Sequence, residues 1–165
     1  MIRQLVVSDV VNYWNLRLKA LSEHPDVFGA SYEEVKDTPI ESVKERFSST
    51  EENFILGAFK GEELIGMVGF RREQLIKMKH KGIIWGMYVN SNFQGKGIGK
   101  ELVIELIRKA KQLKELEQIN LFVVDRNQRA KALYESIGFK SFGKEINAMK
   151  VGDNYLNEEL MVYII

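Results

Sequence analysis

The residues with the clearest capacity for chemistry are Gln94, Gly95, Lys96, Gly97, Ile98 and Gly99. Glycines at alternate positions let the backbone turn tightly and gather several N–H groups into one small volume. An apolar run, residues 83–89, leads into them. Behind them Ile98, Leu102, Val103, Leu106, Ile107, Ala110 and Leu113 form one stripe at helical spacing. A helix starting there adds its unpaired N-terminal donors and about half a positive charge. Together these make a phosphate seat.

Two nucleotide-binding patterns are excluded by single residues. A P-loop needs glycine at position 94 and Ser or Thr at position 101, where this chain has Gln94 and Glu101. A dinucleotide-binding G-x-G-x-x-G needs glycine at position 100, which is Lys100, and belongs in the first βα turn of a domain. A purely structural strand-to-helix turn needs one glycine rather than three.

The elements that must position this turn follow from periodicity. Residues 2–7 read as a first strand ended by Ser8 and Asp9, good helix caps. Val10, Trp14, Leu18 and Leu21 mark a helix of about three turns that stops at His24-Pro25. Residues 32–35 suit a helical turn, and Thr38-Pro39 starts a second helix running to about Phe47. Residues 54–59 and 64–70 read as strands joined by a tight turn, and 82–89 as the next strand. Residues 119–124 form a strand reached only through the helix, which implies a parallel crossover. Asn127 caps a short helix over 128–137 that Gly138 terminates, and the remainder is mostly strand. The expected class is α+β: a mixed, mostly antiparallel sheet of about 6–7 strands with about 4 helices, one domain over 1–165.

Composition narrows the partners. The chain has 24 basic and 23 acidic residues, a net charge of +1, which argues against nucleic acid or an anionic membrane. With no cysteine there is neither a thiol nucleophile nor a disulfide framework. His24 and His80 stand far apart without a carboxylate pattern, so no metal site is expected. The first residues lack a secretory apolar core, and no run approaches a membrane span, so the expected location is cytoplasmic.

From Trp85 to Phe139 the chain resembles the GCN5-related N-acetyltransferase (GNAT) superfamily. The resemblance rests on Met87-Tyr88-Val89, the glycine turn, Leu121-Phe122-Val123-Val124, Asn127, Ala130, Leu133-Tyr134 and Gly138-Phe139, in that order. It implies a sheet splayed between the Met87 and Leu121 strands, with Gly86 as the site of a bulge. It implies acetyl-coenzyme A as acetyl donor, its pyrophosphate on the amides of Gly95 to Lys100. Gln94 would shape the loop, Lys96 and Lys100 would add charge, and Met87, Tyr88, Val89 and Asn127 would meet the pantetheine arm. Tyr134 would donate a hydrogen bond to the departing thiolate. The reaction would be direct attack by a primary amine in a ternary complex, the alternative being an acyl-CoA sensor without turnover.

The acceptor side is the less legible half. Branches of the family that acetylate protein N-termini carry a base where this chain has Phe122, which favours a small-molecule amine over a protein. Strand 83–89 offers no acid, so a water chain or an acid from the region of the first two helices must serve, with Glu33 and Glu34, and Asp37 behind them, as the candidates. Phe28, Tyr32 and Trp85 are candidate pocket walls. Tyr155 and Glu158 are further candidates from the tail hairpin, and the resemblance allows a homodimer.

Overall fold

The computed structural model describes residues 1–165. Seven strands form one sheet: β1 Ile2–Gln4, β2 Asn53–Lys60, β3 Glu63–Arg72, β4 Lys81–Val89, β5 Gln118–Val124, β6 Lys140–Val151 and β7 Asn154–Ile164. Their spatial order is β1-β2-β3-β4-β5-β7-β6, and every neighbouring pair is antiparallel except β4 with β5. The parallel pair is joined through α4, Ile98–Ala110, as a crossover requires. No helix is long and apolar enough to cross a membrane.

The sheet is covered on both faces. α4 and α5 (Gln128–Ile137) close one face over twenty buried residues, with Phe54, Phe70, Leu102, Leu106 and Ile119 at its centre. α1 (Val10–Glu23), α2 (Tyr32–Val35) and α3 (Ile40–Arg46) lie on the other side, where eleven buried residues, among them Leu5, Tyr13, Leu16 and Met67, form a smaller core. Burial on both faces explains why β2 and β3 read as nearly continuous apolar runs.

Two boundaries differ from those expected. The first strand ends at Gln4, because the Asp9 carboxylate accepts the Val6 N–H at 2.8 Å and both nitrogens of the Arg3 fork at 2.7 and 2.8 Å. That cluster turns the chain into a 3-10 helix over Val7–Asp9. The helix that follows runs longer than the three turns expected, since Leu16 and Ala20 continue its buried stripe.

One buried cation fixes the end of the sheet where β4 and β5 pair. Arg72 is 6% exposed. It donates to the Lys79 carbonyl at 2.6 Å, to Glu52 Oε1 at 2.9 Å and to the Lys114 carbonyl at 2.8 Å. It thus ties the loop before β4 to the link between α4 and β5. Replacing Arg72 with Met strands two carbonyls and one carboxylate, at a cost of about 3 kcal/mol. Urea denaturation should show this as a lower midpoint with unchanged slope. A midpoint shift worth less than about 1 kcal/mol would remove Arg72 as the clamp.

Candidate active site

The site begins with a flaw in β4. Gly69 of β3 pairs with Trp85 and Met67 pairs with Tyr88, so β4 carries one more residue than β3 between those pairs. Gly86 adopts φ +62°, which a side chain would resist. This bulge reverses the alternation of the strand. Ile84 packs in the larger core and Trp85 against the smaller one; beyond the bulge it is Tyr88 that joins the smaller core, and Met87 and Val89 turn toward α4.

Beside the bulge β4 leaves β5. Their parallel pairing covers only Lys81–Gln118, Gly82–Ile119 and Ile83–Asn120. Past Ile83 the two strands diverge and open a cleft of about 570 Å³. Met87, Tyr88 and Val89 line one wall, and Val124, Asn127, Ala130 and Leu133 the other. Phe28, in the loop after α1, lines it as well.

The glycine turn closes one end. Gly95 and Gly97 have φ +78° and +82°, and the space where their side chains would stand is open to beyond 4 Å. Gly97 is the N-cap of α4 and offers no capping side chain, and the first helical bond returns from the Glu101 N–H to its carbonyl. The amides of Ile98, Gly99 and Lys100 therefore have no intrahelical acceptor. Gln94, Gly95, Gly97, Ile98, Gly99 and Lys100 all line the cleft, joined by the cations Arg126 and Arg129. Gln94 braces the turn: its Nε2 donates to the Val89 carbonyl at 2.9 Å, and its Oε1 accepts from Arg129 at 2.9 Å. Lys96 is outside the lining, its ammonium 5.3 Å from the centre of the Phe93 ring.

Asn127 caps α5, accepting the Ala130 N–H at 3.2 Å, and lines the cleft as well. Tyr134 lies about two turns further along the same helix. Its ring is 6% exposed and packs edge-on to Phe139 at 5.7 Å. The phenol makes no hydrogen bond, yet the only fully enclosed side-chain polar atom lacking a partner is Arg17 Nη1. The Tyr134 hydroxyl thus keeps an opening, although Leu133 rather than Tyr134 forms the cleft wall. Burial pushes its pKa upward, so the phenol stays protonated. The Tyr88 phenol faces away, toward α1, donating to Glu23 at 2.6 Å; burial and that bond push it up to about 12.

A second cavity of about 550 Å³ lies on the α1 side of the sheet, walled by Tyr13, Trp14, Phe47 and Trp85 and edged by Arg46, Arg71 and Glu34. The acids expected as bases do not reach the cleft. Glu33 is 75% exposed and paired with Lys36. Glu34 accepts from the Ser31 N–H and hydroxyl at 3.0 and 2.9 Å, which holds its carboxyl below the usual range and makes it a weaker base. Both are used by α2 itself, a four-residue helix that needs a capping box to form. Tyr32 lies on that helix and lines neither cavity, and Tyr155 stands half-exposed at the β6–β7 hairpin.

The sequence profile of the Acetyltransferase (GNAT) family matches residues 18–139. The chain belongs to this family. Its fold is similar to that of a GNAT acetyltransferase from Streptococcus pneumoniae, with TM-score 0.89 and 22% identity over 100% of this chain and 99% of the other. It is also similar to yncA of Salmonella typhimurium, a putative acetyltransferase solved with its cofactor acetyl-CoA, with TM-score 0.84 and 17% identity over 99% and 92% of the two chains. A curated relative, the spermine/spermidine N(1)-acetyltransferase of Bacillus subtilis (strain 168), is 32% identical over 73 residues, 42% of this chain. The chain spans about half the length of the curated relatives it matches, 48%.

In this GNAT chain the sequence reading missed Arg126 and Arg129, which flank Asn127 and place two further cations on the cleft. Their signal was available, since both lie within a segment already marked by its asparagine cap. Arg17 gave no such signal. It sits mid-helix on α1, and only the tertiary packing brings it to the Gly86 bulge.

Proposed function

We propose that this protein transfers the acetyl group of acetyl-CoA to a primary amine by direct attack in a ternary complex, the acceptor being a small molecule rather than a protein. One observation carries the reading: the cleft opened by the β4–β5 divergence runs from a glycine turn with free amides to the helix bearing Tyr134. The donor set fits the cofactor. The turn and the two arginines suit a pyrophosphate, and Met87, Val89, Ile98 and Leu133 give the apolar lining that a pantetheine arm needs. The names of the curated relatives support an amine acceptor.

Acetyl-CoA, when bound, supplies a thioester whose thiol departs as the amine attacks. The chain's residues supply the rest. Main-chain amides of the Met87–Val89 segment polarise the carbonyl. Tyr134 holds a proton at its phenol oxygen for the sulfur. A thiol near 8.5 is a stronger acid than this phenol, so hydrogen-bond donation rather than full transfer is its part. Glu158 supports the base role better than Glu33 or Glu34. Glu158 is itself outside the cleft lining, but it stands opposite Val124, which lines the cleft, and burial, with Glu145 adding repulsion, raises its carboxyl above the usual range.

Two measurements test the reading. Coenzyme A should raise the melting temperature more than ATP or NAD does, and thiol release should depend on an added amine. Tight binding without turnover of any amine would leave the sensor instead. For Glu158→Gln, kcat/KM should fall roughly 10²-fold. For Glu145→Gln, the acid limb of the pH profile should move to lower pH, since the like charge raising Glu158 is gone. An unmoved acid limb would take the base role from Glu158.

A further inference from the structure

The Arg17 guanidinium is a charge without a counter-charge. It makes no ion pair and no hydrogen bond, and its Nη1 is the single enclosed side-chain polar atom in the chain with no partner. Leaving such a group unpaired is costly, more so when it is charged. Its surroundings place it at a junction. The guanidinium carbon lies 5.6 Å from the Phe28 ring centre and 5.9 Å from that of Trp85. Phe28 lines the cleft and Trp85 lines the second cavity. Nη1 also stands 3.3 Å from where a side chain at Gly86 would begin, so the cation sits against the β4 bulge.

Resting on the acetyltransferase reading, we propose that the acceptor is an amine that carries a carboxylate, which the Arg17 guanidinium binds between Phe28 and Trp85. Both rings lie within 6 Å of the guanidinium carbon, and only Nη1 is enclosed, so the Nε–Nη2 edge stays accessible and presents parallel N–H donors, the geometry that matches a carboxylate. The second cavity adds Arg46 and Arg71 against one acid, Glu34, already engaged by Ser31. That balance favours an anionic end on the acceptor and disfavours a polycation. A carboxylate there leaves the amine end free to point toward the bulge and the cleft.

The test is thiol release from acetyl-CoA with L-amino acids, ω-amino acids, the methyl ester of each, and spermidine. Acids should exceed their esters by at least 10-fold in kcat/KM, mainly through KM, and the better of the two acid series fixes the amine-to-carboxylate spacing. In Arg17→Met the acid and its ester should become equal, and Arg17→Lys should fall between. Because Arg17 has no hydrogen bond or ion pair to lose, and methionine keeps apolar contact with the two rings, Arg17→Met should melt no lower than the parent protein, and coenzyme A should stabilise both alike. Equal use of acid and ester by the parent, preference for spermidine, or a lower melting temperature with uniform loss on all amines overturns the proposal. So does a failure to turn over any carboxylate-bearing amine while coenzyme A still stabilises the fold. If coenzyme A does not bind at all, the acetyltransferase reading itself falls, and this proposal with it.

Discussion

Tyr134→Phe should lower kcat by roughly 10²–10³-fold while leaving the affinity for coenzyme A within about 2-fold, since a donor aimed at developing charge acts mainly in the transition state. The substitution is unusually clean in this fold. The ring's contact with Phe139 survives, and the hydroxyl has no hydrogen bond to lose, so stability should change by less than about 1 kcal/mol. Burial keeps the phenol protonated across the working range, so the loss should not depend on pH below about 10. Steady-state kinetics beside calorimetric binding separates the two quantities. Equal kcat in parent and variant would return Tyr134 to being a core tyrosine.

The second large effect belongs to the glycine turn. Valine at both Gly95 and Gly97 should weaken coenzyme A binding by roughly 10²–10⁴-fold. The mechanism is conformational rather than steric, because the space beside each glycine is empty. A β-branched residue resists φ near +80°, so the turn must relax and its amides swing out of line. Two charge-assisted hydrogen bonds lost at about 1.5–3 kcal/mol each account for that range. Titration calorimetry with coenzyme A and with a fragment lacking the pyrophosphate checks the assignment. The pyrophosphate-free fragment should bind parent and variant alike. An equal loss for both ligands would mean that the cleft as a whole had collapsed.

The two halves of the site differ in how far the sequence exposed them. The donor half is local. The glycine turn, the amphipathic stripe of α4, the Asn127 cap and the Gly138 terminator each act within a few residues of themselves, and each appears in the structure near its expected place. Gly95 and Gly97 adopt the positive φ that a tight turn requires, while Gly99 lies within α4, where a side chain would meet Met87. Gly86 likewise marks the bulge, because a glycine within a strand has few other uses.

The acceptor half is assembled from distant segments. Glu33 and Glu34 looked available because they lie near the loop after α1, but α2 is short enough to need their carboxylates for its own capping and pairing. Arg17 looked like any mid-helix arginine until packing set Phe28, Trp85 and Gly86 around it. Glu158 owes its raised carboxyl to burial, which no local pattern encodes.

The sequence by itself thus determined the element order, the crossover and the glycine turn, since hydrophobic period and glycine φ are properties of short segments. Only the tertiary structure decided how far β4 and β5 stay paired, which side of β4 each residue faces past the bulge, and which buried charge is left without a partner. Those depend on register and on contacts between residues far apart in the chain, and a single extra residue in β4 is enough to reverse them.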